Sequence, residues 1–89
     1  MFEWHEDKRN RNLARHGLDL VDAAQLFDGR PIVTFPARSE QEMRYLTTGE
    51  IRGHFYSLVW TWRGEVQRLI SFRRAREKEK AAYYQAFRQ

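Results

Sequence analysis

Between Glu42 and Arg73 side chains alternate with a period of two in three successive runs, Glu42 to Ile51, His54 to Trp62 and Glu65 to Arg73, separated only by Arg52-Gly53 and Arg63-Gly64. Links this short join antiparallel neighbours, because a parallel crossover needs a dozen residues or more. A three-strand meander is therefore required before any other part of the chain is considered. Pro31 to Phe35 adds a fourth strand, its proline favouring a strand start or a sheet edge, and Pro36 ends it. In the central run His54, Tyr56, Leu58, Trp60 and Trp62 share one face while Phe55, Ser57, Val59 and Thr61 share the other. Both faces carry bulk, so helices are expected on each.

Three helical segments are available for that cover. Glu3 and Trp4 make a short extended start, and Glu6 to His16 follows as a helix with acids in its first turn, bases in its last and Gly17 as its stop. Leu13 and Ala14 are its apolar anchors, and Lys8, Asn12 and His16 form a polar stripe beside Arg15. Asp19 caps a second helix, Leu20 to Phe27, with Asp22 in the position of a capping-box acid and Leu20, Ala23, Ala24 and Phe27 on one face. Ala75 to Arg88 closes the chain as a third, anchored by Tyr83 and Phe87. The expected fold is α+β: two N-terminal helices, a four-stranded antiparallel sheet and a C-terminal helix, in one domain over residues 1–89.

Charge is distributed unevenly along this framework. Arg63 to Gln89 contains eight Lys or Arg and three Glu, a local +5 on a chain whose total is +4. A positive field confined to one segment points to a polyanionic partner, most simply nucleic acid. The chain has no cysteine, which excludes disulfides, thiolate metal sites and a cysteine nucleophile. Six Phe, four Tyr and three Trp supply the core instead. The acidic start, Glu3 to Asp7, is unlike a secretory signal, and the apolar run Phe55 to Trp60 is too short to span a bilayer. A soluble, cytoplasmic protein with no membrane contact is expected.

Cleavage of RNA without a metal or cofactor needs a base for the ribose 2′-hydroxyl, cations for the phosphate and an acid for the leaving 5′-oxygen. His16 and Glu79 can serve as bases, and Arg44, Arg68, Arg73 and Lys80 can hold phosphate. A histidine, a lysine or Tyr83 can supply the acid. Each has a plainer alternative: Glu79 as a first-turn helix charge, Tyr83 as core, the arginines as a solvated face. Regular alternation puts Ser71 and Arg73 on one face and Arg68 on the other, where it can pair with an acid. His5, His16 and His54 are scattered and no metal-binding spacing is present. Trp60 and Trp62 suit the core or a partner interface better than base stacking.

Three blocks resemble the BrnT-type ribonuclease toxins of type II toxin–antitoxin pairs, whose fold is similar to that of RelE toxins. They are Phe2-Glu3-Trp4 with Lys8, Asn12 and Arg15-His16-Gly17; Ala23-Ala24 with Phe27-Asp28; and Arg68 to Ser71 with Arg73-Arg74-Ala75, Glu79, Lys80 and Tyr83. Arg44, ahead of a run ending at Gly49, also fits. The chain departs from the family where His5-Glu6 replaces Asp-Pro and where Arg76 replaces the Thr that opens the last helix. The resemblance implies a metal-independent endoribonuclease that cleaves by 2′-hydroxyl transesterification, with Lys8, His16, Arg44, Arg73, Glu79 and Lys80 catalytic and Arg68, Arg74 and Tyr83 contacting RNA. Arg73 would clamp the phosphate and His16 or Glu79 would be the base. It also implies a DNA-binding, BrnA-like antitoxin and a toxin–antitoxin hetero-oligomer. The alternatives are a non-catalytic RNA-binding module and an antitoxin-binding module on the same fold.

Overall fold

The computed structural model describes residues 1–87. In chain order the elements are β1 (Phe2–Trp4), α1 (Glu6–His16), a 3-10 helix (Leu20–Phe27), β2 (Ile32–Ala37), β3 (Arg44–Ile51), β4 (His54–Arg63), β5 (Val66–Arg74) and α2 (Glu77–Ala86). The α+β class and the β3–β4–β5 meander are as the alternation requires. The sheet is not four antiparallel strands: it has five, ordered β1-β5-β4-β3-β2, and β1 runs parallel to β5. Three residues carry no readable periodicity, and their partners, Gln67 to Leu69, lie more than sixty positions away. The RelE-like four-stranded expectation is corrected accordingly.

Smaller differences have local causes. Pro36 does not end β2 but sits within it, opposite Tyr45, which is possible because β2 is an edge strand and the missing N–H faces no neighbour. The second helix has the expected bounds but is 3-10, with the Asp19 side chain accepting from the Val21 N–H. Helix α2 starts two residues later than expected, and the Arg88 end of that expectation lies outside the described residues. Among the described residues no helix is long and apolar enough to cross a membrane.

Leu20, Ala23 and Leu26 of the 3-10 helix meet Leu58, Trp60, Leu69 and Phe72 on one face of the sheet, and these seven form the buried core. The approach is close: a Cβ on Gly49 would lie 2.9 Å from the Leu26 Cδ2. Buried polar groups in this layer are paired, as where the Trp60 indole N–H donates to Thr47 Oγ1 at 2.8 Å. Helix α2 covers part of the opposite face, which is otherwise open.

A candidate nucleic-acid interface

The open face owes its side chains to one irregularity in β5. Trp60 pairs with Leu69 and Val59 with Ser71, so Ile70 is an extra residue, a β-bulge. The bulge lets Leu69 and Phe72 both enter the core, although they are three apart. It also sends Arg68, Ser71 and Arg73 to the same, opposite face. This corrects the expectation that Arg68 lies across the sheet from Ser71 and Arg73, which assumed unbroken alternation. Pairing register then builds three rows across the face: Arg68, Thr61, Arg44 and Ala37; Ser71, Val59, Leu46 and Phe35; Arg73, Ser57, Thr48 and Val33.

Helix α2 is fastened over the third row by an ion pair whose carboxylate is buried. Arg73 donates from both terminal nitrogens to the two Glu79 carboxylate oxygens, each at 2.8 Å, and from one of them to the Arg74 carbonyl. Glu79 also accepts from Ser57 Oγ at 2.8 Å and from the Arg76 N–H at 2.9 Å. That last bond is the Glu half of a capping box, and the other half is missing because a guanidinium has no acceptor. The Arg73 guanidinium, with further hydrogen bonds, holds the Glu79 carboxyl down at about 2 against the cost of burial. A carboxylate so strongly favoured as an anion is a weak proton acceptor at neutral pH.

Three cations without an ion pair among the described residues, Lys8, Arg11 and Arg15, lie at the edge of β5. There Asn12 of α1 acts as a one-residue strand: its carboxamide donates to the Phe72 carbonyl and accepts from the Phe72 N–H, both at 2.8 Å, and also donates to the Leu18 carbonyl. Leu13 and Ala14, expected to anchor the helix, are exposed, and α1 is instead held by Asn12 and by a bidentate pair between Arg9 and Asp19 at 2.9 Å. The polar stripe therefore faces inward, along β5. Lys8, Arg11, Asn12, Arg15, His16, Ile70 and Ser71 line a groove of about 170 Å³. No carboxylate lines it, and among the described residues Lys8, Arg11 and Arg15 form no ion pair. Ser71 belongs both to this groove and to the open face, so it links His16 to the row beside Arg73.

The remaining expected residues take other positions. Arg44 pairs with Glu42 at 3.0 Å and Arg68 with Glu3 at 2.7 Å, both on the open face. Lys80 reaches the exposed Glu77. Arg74 lies over the Tyr56 ring, 5.5 Å from its centroid. Tyr83 packs against Phe55 and Phe87, and burial raises its hydroxyl above the ordinary tyrosine value. Tyr83 lines a separate cavity with Asp28, Arg30, Pro31 and Glu50, and shares no lining residue with the groove. A larger cavity of about 690 Å³ by the β2–β3 connection mixes Arg38 with Glu40 and Glu42 and lacks the excess of positive charge. Trp60 is core, whereas Trp62 is half exposed. Among the described residues no three His, Cys, Asp or Glu side chains come together as a metal-holding group.

Arg11, Arg15 and Ser71 were not among the expected site residues. The positions 8, 11 and 15 do fall on one helical face, which was a usable signal; that this face meets β5 depends on Asn12 and was not readable. A family model described as the ribonuclease toxin, BrnT, of type II toxin–antitoxin systems matches residues 4–79. A search of curated proteins gave no match.

Proposed function

The chain belongs to the BrnT family of ribonuclease toxins of type II toxin–antitoxin systems, and from that premise we propose that the groove beside β5 cleaves RNA without a metal, leaving a 2′,3′-cyclic phosphate. The observation that carries this is one imidazole lining a groove with three cations that form no ion pair among the described residues, and with no carboxylate in the lining. Lys8, Arg11 and Arg15 hold the scissile phosphate and stabilise the charge that gathers on it. His16 takes the proton of the 2′-hydroxyl, whose oxygen attacks phosphorus as the bond to the 5′-oxygen breaks; a protonated group or water returns a proton to that oxygen.

Arg73 and Glu79 have a supporting part in this scheme, because the two terminal nitrogens of Arg73 and both carboxylate oxygens of Glu79 are engaged with each other. Arg44 and Arg68 differ from them. Their carboxylate partners are 36% and 37% exposed, against 8% for Glu79, and half-exposed pairs are worth so little that a phosphate can compete for the arginine. They lie where the RNA backbone would leave the groove. The protein acts in the cytoplasm, where a DNA-binding, BrnA-like antitoxin neutralises it in a hetero-oligomer.

Purified protein is expected to cut RNA in EDTA, to leave cyclic phosphate ends and to spare a substrate lacking 2′-hydroxyls. His16→Ala should lower the rate at least about a hundredfold, the smaller end of what a positioned proton acceptor supplies. Cleavage that needs a divalent ion, or that survives His16→Ala undiminished, would refute the scheme.

A further inference from the structure

We propose that the row Ser71, Val59, Leu46 and Phe35 is the track along which single-stranded RNA leaves the groove, with Phe35 as a stacking platform for one of its bases. This rests on the reading of the groove as the phosphate site. Phe35 is a large aromatic residue left 50% exposed, and it takes part in none of the ring–ring contacts among the described residues. It stands in register with Leu46, which pairs with Val59, which pairs with Ser71. Helix α2 is fastened to the adjoining row through Ser57 and Arg73, and this row stays open.

Two features favour RNA over an added protein strand as the occupant. The track is continuous with the cationic groove, since Ser71 lines both, and Arg44 and Arg68 flank it on the next row. The edge of β2 carries Pro36, which has no N–H to offer, so a partner strand added beside Phe35 would lose a ladder bond there. From β5 to β2 is three strand spacings, about 14 Å. That places Phe35 beyond the nucleotides flanking the scissile phosphate, where an aromatic ring accepts any base, since each has a π face.

The test is affinity for a short mixed-sequence single-stranded oligonucleotide lacking 2′-hydroxyls, which binds without being cut, carrying 2-aminopurine as a stacking reporter. Phe35→Ala should weaken binding about tenfold and abolish the stacking quench, with the salt dependence unchanged, and Phe35→Trp should restore both. Far-UV circular dichroism and the melting temperature establish that each variant is folded. Equal affinity of folded Phe35→Ala and the parent overturns the platform while leaving the groove intact. Loss of antitoxin binding in Phe35→Ala with RNA affinity unchanged assigns the row to the protein partner instead. If the parent binds the oligonucleotide no better than Lys8→Ala does, the groove reading fails as well.

Discussion

Asn12 shows how one side chain can decide where a charged surface forms. Buried amides in mid-helix are uncommon, and this one satisfies both the N–H and the carbonyl of Phe72 at an unpaired stretch of strand edge. Asn12→Ala would leave those groups unsatisfied, and the expected cost is about 2 kcal/mol in denaturant unfolding. A loss below about 0.5 kcal/mol would mean that the edge is satisfied by other means. Cleavage by the variant should fall by more than its folded fraction explains, because Lys8 and His16 lie one helical turn to either side. The spacing of Lys8, Asn12 and His16 was legible in the sequence. Its direction was not, because Leu13 and Ala14 offered the more conventional apolar anchor and the stripe could equally have faced water.

At the scale of elements, the docking of α2 depends on a carboxylate whose proton affinity folding lowers. With Glu79 near 2 when folded and close to the ordinary carboxylate value of about 4.3 when unfolded, its stabilisation is complete above the latter and lost as pH falls toward 2. Glu79→Gln should therefore be less stable than the parent at pH 7, and the gap between them should shrink steadily as pH is lowered from 5 to 2.5. A gap independent of pH would show that the carboxylate's charge is not what secures the helix. That Glu79 belongs to the first turn of the last helix was legible from its position. Its pairing with Arg73 was not, because the five intervening residues cross a strand end, a loop and a helix cap. The bulge at Ile70 was hidden as well: Arg68 to Arg73 reads as an ordinary alternating run, and the extra residue emerges only from the strand pairing and the shared burial of Leu69 and Phe72.

For the whole molecule, the meander was determined by two short turns and was readable for that reason, whereas β1 beside β5 joins the two ends of the sequence and left no local trace. The core layer follows the same division: the 3-10 helix announced its apolar face, while the open face emerged only once five strands were in order. Because β5 bears the partners of both β1 and Asn12, a chain stopped at Gly64 is expected to show no cooperative unfolding transition and to retain no RNA at moderate salt. Retention of RNA by that fragment, with the salt sensitivity of the parent, would mean that the cations act without the sheet.

The parallel pairing of Phe2 to Trp4 with Gln67 to Leu69 has a consequence for synthesis. A ribosome makes Lys8, Arg11, Arg15 and His16 early, yet their arrangement beside β5 waits until Gln67 to Phe72 have been made. Synthesis broken off before that strand is therefore expected to yield a product without the groove.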